Sequence, residues 1–294
     1  MSDPLFIGIR FVLYADLMLL FGLPLFALHT PEGRDSLMLR RPVLAWLALL
    51  GLALSGFAIV AMTASMSGVA ILDVDRASTW AMISQTPMGM AWVVRMGALA
   101  LLAISLIVQR HYTGATIFAA IALGSLAWTG HGAAGEGNAG IVHLISDLIH
   151  LIAAGAWLGA LVGLSALLWA NGNLTATYRA FDNFASFGTV IVAAVVASGL
   201  VNSIYVVGWS NLSRLAFTLY GQLLLLKLVL FGAMLGLAAI NRFLLTPALA
   251  VIKVPDAARA CGALRSSLLL ETSAAMVIVV LVAWLGTLAP PMSQ

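Results

Sequence analysis

Residues 140–170 read GIVHLISDLIHLIAAGAWLGALVGLSALLWA, an apolar run that contains only three ionisable side chains. A helix of about 20 mostly apolar residues is enough to cross roughly 30 Å of hydrocarbon. This stretch is therefore predicted to be a transmembrane helix that extends beyond the bilayer. The class of the whole protein depends on whether the rest of the chain has the same character.

Seven further apolar runs have the length of a membrane span. They cover residues 5–28, 43–66, 88–108, 113–130, 184–207, 215–240 and 264–288. The chain is 62% hydrophobic and 9% charged, which a water-soluble domain could not carry without large exposed apolar patches. We predict an all-α membrane bundle of about eight transmembrane helices, which forms a single membrane domain over residues 1–294 and has the lipid bilayer as its solvent.

The positive charges are distributed unevenly between alternate loops. The loops after the first, third, fifth and seventh runs carry nine of them: Arg34, Arg40, Arg41, Arg110, Arg179, Arg242, Lys253, Arg259 and Arg265. The opposite loops carry only Arg76 and Arg214. Because Lys and Arg accumulate on the cytoplasmic side, we predict a bacterial inner-membrane protein with both termini in the periplasm.

Several classes of function lack support in the sequence. The net charge of +3 is scattered, whereas a nucleic-acid partner would require a basic face. Cys261 is the lone cysteine and cannot form an internal disulfide. No phosphate loop, nucleophile–base pair or His-Glu-x-x-His motif is present. We therefore expect neither nucleic-acid binding nor enzymatic activity.

One helical face of residues 140–170 concentrates the polar groups. At 100° per residue, His143, Asp147 and His150 lie within about 60° of one another, and Trp157 continues the stripe. The two histidines are about 10.5 Å apart along the axis, so each would need further ligands to hold a metal. His131 and Glu136, in a glycine-rich loop just before this helix, are candidates to supply them.

Two interpretations of this stripe remain open. Ionisable groups within a membrane usually mark a functional site, which favours a metal or a cofactor. The alternative is a hydrogen-bonded network that only joins helices. In either case the stripe should face the protein interior, because lipid would not solvate it.

Methionines help to choose among metals, because imidazole suits copper, zinc and iron, whereas thioether sulfur selects copper(I). Met62 and Met66 are spaced i, i+4 and form a possible soft-ligand pair near the outer surface. Their alternative role is to fill packing gaps in the bundle.

Other polar and small residues within the spans have structural interpretations. Four ionisable residues of both signs are expected to form internal ion pairs: Asp16, Arg95, Lys227 and Glu271. The glycines at every fourth position from 155 to 163 lie on a different face from the histidines and should allow a neighbouring helix to pack closely.

Short motifs appear in a characteristic order along the C-terminal half of the chain. They are Trp157-Leu158-Gly159, Tyr220-Gly221-Gln222-Leu223 with Lys227, Asn241-Arg242, Pro247, Glu271, Leu285-Gly286 and Pro290-Pro291. In these motifs the chain resembles the CopD/PcoD family of inner-membrane copper resistance proteins, most clearly over residues 140–290. The first four spans match that family mainly in hydropathy. Where the family often has Gly-His-Ala before the fifth span, this chain has Gly130-His131-Gly132.

The resemblance implies a function in periplasmic copper handling. It predicts that the protein captures a copper ion, Cu(I) or Cu(II), from a soluble periplasmic carrier and passes it toward or across the inner membrane. We expect His131, His143 and His150 to be ligands, with Glu136, Asp147, Met62, Met66 and Trp157 in possible supporting roles.

Two alternative functions remain. A b-type cytochrome would hold haem between histidines of different spans, although only residues 140–170 contain histidines within the membrane. A copper-delivery accessory for oxidase assembly would bind copper without transporting it.

Overall fold

The computed structural model describes residues 4–30, 40–108, 112–130, 137–170, 174–208, 211, 215–247 and 254–289. Nine α-helices lie in these ranges: α1 (Pro4–His29), α2 (Arg41–Ser67), α3 (Arg76–Gln85), α4 (Pro87–Val108), α5 (Thr113–Gly124), α6 (Gly137–Ala170), α7 (Leu174–Val207), α8 (Leu219–Ile240) and α9 (Val254–Leu285). A 3₁₀-helix, Ser125–Thr129, continues α5, and a π-helix, Asn241–Leu245, continues α8.

Seven of these helices are long and apolar enough to cross a membrane: α1, α2, α4, α6, α7, α8 and α9. The prediction of an all-α, multi-pass membrane protein is therefore confirmed. The shorter apolar run Thr113–Thr129 corresponds to the remaining predicted span. It runs antiparallel to α6, because Leu123 approaches Gly155 whereas Gly130, after the end of the segment, lies beside Asp147, two turns earlier in α6.

Helix α1 occupies the centre of the bundle, where it packs against α2, α5, α6 and α9. At its contact with α6 the backbones of the two helices lie close together, as the glycine spacing predicted. A Cβ on Gly159 would overlap the backbone of Gly22, and a Cβ on Gly163 would overlap the ring of Phe26. Small residues at this crossing therefore set the distance between the two helices that contribute nearly half of the buried core.

Two helices begin before the predicted apolar runs. Helix α7 begins at Leu174 and α9 at Val254, each about ten residues earlier than the run. Their first turns contain polar and charged residues, so hydropathy alone did not include them. Both helices therefore have polar N-terminal extensions that precede their apolar segments.

Helix α3 was not predicted, because it is short and polar and gives no span-length signal. Its start is nevertheless encoded in the sequence, since Asp75 caps it by accepting a hydrogen bond from the Ser78 backbone N–H over 2.7 Å. The Ser78 hydroxyl donates to the other carboxylate oxygen over 2.8 Å. The two bonds from Ser78, backbone first, hold the pKa of Asp75 below its usual value.

Candidate metal centre

The polar stripe of α6 faces α7 and not lipid. His143 is only 7% exposed, and its ring stacks on Tyr205 with a centroid distance of 5.0 Å and an interplanar angle of 8°. One turn further along, the Ser146 hydroxyl donates to the Ser198 carbonyl over 3.0 Å. The helices are antiparallel, so the start of α6 lies beside the end of α7. The expectation that this face is turned inward is confirmed.

His150 is oriented by a hydroxyl of α7. Its Nδ1 lies 3.0 Å from Ser198 Oγ, and that hydroxyl donates its single proton to the Ala194 carbonyl over 2.5 Å. Ser198 must therefore accept from His150, which places the ring proton on Nδ1. In this tautomer the lone pair is on Nε2, the form in which a neutral histidine binds a metal, and the ring also hydrogen-bonds to the Val195 backbone. A second-nitrogen hydrogen bond of this kind is typical of histidines that bind metals.

Asp147 has partners on two helices. Asn202 Nδ2 of α7 donates to Asp147 Oδ1 over 3.3 Å, and Lys227 of α8 attracts the carboxylate electrostatically. The same lysine is within electrostatic range of His150. Asp147 therefore already balances a cation, which suits an orienting and charge-compensating role better than that of a primary ligand.

The described residues do not assemble a complete metal site. Within these ranges, no three His, Cys, Asp or Glu side chains are grouped closely enough to hold an ion. His131 and Glu136 lie outside the described residues. The loop that contains them begins at Gly130, where a Cβ would lie 3.7 Å from Asp147 Oδ2. The ligand predictions for His131, His143 and His150 stay predictions.

The supporting residues lie in different surroundings. Trp157 is buried and makes an edge contact with Phe231 of α8, with ring centroids 5.7 Å apart, so its visible role is packing. Met66 is 66% exposed at the end of α2, whereas Met62 lines a small cavity together with Met88. Met62 and Met66 thus face different surroundings despite their i, i+4 spacing.

Among the described residues, the expectation of internal ion pairs is met in part, by an electrostatic interaction of Lys227 with Asp147. Glu271 instead accepts a hydrogen bond from Asn241 Nδ2. Both carboxylate oxygens of Asp16 are buried without a hydrogen-bond partner among the described residues, as is Nε of Arg95.

The contribution of α7 was missed from the sequence. Ser198, Asn202 and Tyr205 are spaced i, i+4, i+7 and contact the stripe of α6. The signal that could have revealed them is this polar face within an otherwise apolar helix.

Comparison with known proteins identifies relatives along the whole chain. The family model "Copper resistance protein D-like, N-terminal domain" matches residues 1–141, and "Copper resistance protein D" matches residues 178–285. The first four predicted spans therefore match a copper resistance model as well, beyond the hydropathy seen in the sequence. No solved structure matches.

Copper resistance protein D of Pseudomonas syringae pv. tomato is 41% identical and is aligned over 99% of each chain. Inner membrane protein YebZ of Escherichia coli is 30% identical, over 97% of this chain and 98% of the relative. Copper transport protein CutJ of Bacillus subtilis is 29% identical, over 81% of this chain and 46% of the relative. With two matching family models and a full-length relative of this identity, the chain belongs to the copper resistance protein D family.

Proposed function

We propose that this protein accepts copper at the periplasmic face of the bacterial inner membrane and passes it toward or across that membrane. Copper is its cargo, a soluble periplasmic copper carrier is its donor, and it catalyses no covalent chemistry. The orientation of His150 supports the proposal, because the Ser198 hydroxyl lies 3.0 Å from Nδ1 and favours the tautomer whose Nε2 carries the lone pair. The names of two relatives, for copper resistance and copper transport, support copper as the metal.

The proposed topology has eight crossings with both termini in the periplasm. Helix α5 and its 3₁₀ extension complete the count, because this segment is antiparallel to α6. Its far end, Leu126 and Thr129, lines the same cavity as Trp92 and Arg95 near the start of α4, as an antiparallel neighbour of α4 would. The loop charge bias then assigns the start of α6, with His143, to the outer side.

We propose that the copper ligands are divided along α6. His143 and His150 are too far apart along the helix to bind one ion without additional ligands. His131 is the proposed third ligand, since it follows Gly130 in the sequence and Gly130 lies beside Asp147. Such separate stations would suit an ion that moves along the helix.

The direct test is the copper content of purified protein after replacement of both α6 histidines. His143→Ala with His150→Ala should remove most of the bound copper, because two imidazole ligands are lost. His29→Ala is the matched control, since His29 is the last residue of α1, away from the histidines of α6, and stacks on Phe187. A folded double variant with full copper occupancy would assign the pair to helix packing. A double variant that does not fold would favour the structural network.

Copper uptake into vesicles separates transport from binding. Vesicles that contain the wild-type protein should accumulate copper, and vesicles that contain the double variant should not. Copper binding without any uptake by wild-type protein would favour the delivery accessory. An optical spectrum of the same preparation tests the haem alternative, for which a Soret band is the expected sign.

A further inference from the structure

A cavity of about 30 Å³ lies between α1, α2, α4 and the 3₁₀-helix that continues α5, away from the histidine stripe. It is near the ends at which α1 and α4 begin. The polar side chains that line it are Arg10, Tyr14, Trp92, Arg95 and Thr129. A cavity of this volume has room for one or two particles of the size of water.

Two arginine side chains at this cavity are buried, and no carboxylate among the described residues that line it offsets their charge. Arg10 is 7% exposed and Arg95 is 3% exposed, and Nε of each lacks a hydrogen-bond partner among the described residues. The guanidinium groups are close enough to repel one another electrostatically. Arg10 lies over the rings of Phe6 and Tyr14, each at 5.7 Å, and its guanidinium also lies close to Gly286, just after the last residue of α9. Neither arginine has an ion pair within the described ranges, although a buried charge normally requires one.

The other groups at the cavity do not compensate this charge. No carboxylate is among the described residues that line it. The Trp92 indole N–H already donates to the Ser55 carbonyl over 2.8 Å, and the Thr129 hydroxyl donates to the Leu126 carbonyl over 2.7 Å. Guanidinium groups offer only donors. The cavity therefore combines positive charge with unused N–H groups, which favours an anion and disfavours a copper cation at Met62.

We infer that Arg10 and Arg95 bind a small inorganic anion of the size of chloride in this cavity. The volume favours a monatomic anion over a lipid phosphate group, whose ester substituents need more space. Such an anion would offset one of the two positive charges, reduce the repulsion between the arginines and bridge α1 to α4. This site is separate from the proposed copper ligands, so chloride binding and copper binding can be measured independently.

The test is equilibrium dialysis of the purified full-length protein against radioactive chloride. Gluconate replaces chloride at the lower concentrations, so that the ionic strength stays at about 0.15 M. Wild-type protein should bind about one chloride ion per chain, as the cavity volume allows. Arg95→Gln should raise the Kd for chloride about tenfold or more, because a hydrogen bond to a charged group is lost. Arg265→Gln is the matched control, since Arg265 donates to the Leu168 carbonyl at the end of α6 and should leave chloride binding unchanged.

Saturable binding that Arg95→Gln weakens and Arg265→Gln preserves would support the site. Absence of saturable chloride binding to wild-type protein would overturn it, and so would an Arg95→Gln variant that binds as tightly as wild type. If Arg95→Gln does not fold, the thermal stability of the wild-type protein in the two salts still tests the site. Its Tm should rise with chloride and not with gluconate, and equal Tm values in the two salts would overturn the site. A carboxylate from outside the described residues that filled the cavity would give that result.

Discussion

Ser198 determines the chemistry available at His150. Its hydroxyl accepts from Nδ1–H because its own proton is donated to the Ala194 carbonyl. Replacement by Ala would remove this acceptor and let the imidazole exchange tautomers and orientations. We expect Ser198→Ala to weaken copper binding by about tenfold, the lower end of what outer-shell partners of metal ligands contribute.

Ser203→Ala is the matched control for this prediction. Ser203 is on the same helix, and its hydroxyl donates to the Gly199 carbonyl without contacting a histidine in the described bonds. Copper titration of both purified variants would measure the effect. Equal Kd values for Ser198→Ala and wild type would mean that Ser198 has no influence on the ligand.

The inward orientation of His143, Asp147 and His150 could be predicted from their angular spacing and the cost of exposing them to lipid. Their partners could not. A serine within a helix usually bonds to the carbonyl one turn earlier, as Ser198 does with Ala194, so its second contact depends on which helix lies opposite. Sequence periodicity identifies a polar face but not the neighbour that it meets.

At the scale of elements, the crossing of α1 and α6 depends on the absence of side chains. A Cβ on Gly159 would overlap the backbone of Gly22, and backbone atoms cannot move away as a flexible side chain can. We expect Gly159→Leu to lower the free energy of unfolding by about 2 kcal/mol or more through overpacking. Thermal unfolding in detergent would measure this loss.

Gly236→Leu on α8 provides the comparison, because a Cβ there has no atom within 4 Å. Its Tm should equal or exceed that of wild type, since leucine is the better helix former. Similar losses of stability in both variants would contradict the assigned crossing. This close approach was predictable from the glycine spacing, but the identity of α1 as the partner was not.

The first turn of the short helix α3 is stabilised by its N-cap residue, Asp75. The hydrogen bonds from Ser78 hold the pKa of Asp75 in the folded protein below its usual value. The ionised cap therefore stabilises α3 fully at pH values above the usual pKa, and this stabilisation is lost as the pH falls through the folded pKa. Asp75→Ala should therefore speed hydrogen exchange in the first turn of α3 several-fold at neutral pH. Asp73→Ala is the control, because Asp73 ends the short 3₁₀-helix Ile71–Asp73 that precedes α3. Unchanged exchange in Asp75→Ala would show that the cap does not stabilise the helix.

At the scale of the whole molecule, hydropathy was enough to predict a multi-pass helical protein. It could not settle how many times the chain crosses, because Thr113–Thr129 is shorter than the other apolar helices. Nor could hydropathy reveal that α1 is the central helix. A helix surrounded by other helices and a helix that faces lipid can be equally apolar. The number of crossings decides whether the two termini share a side.

Reporter fusions test the number of crossings and the orientation together. A reporter active only in the periplasm should work after Gly135 and Asn211, and one active only in the cytoplasm should work after Arg110 and Gly172. The physical reason is the excess of Lys and Arg in the loops that contain Arg110 and Arg179, which opposes their translocation. If α5 does not cross, the fusions after Arg110 and Gly135 will report the same side. A cytoplasmic signal after Gly135 would also place the His131 loop away from a periplasmic copper donor, and the proposed route of capture would have to be abandoned.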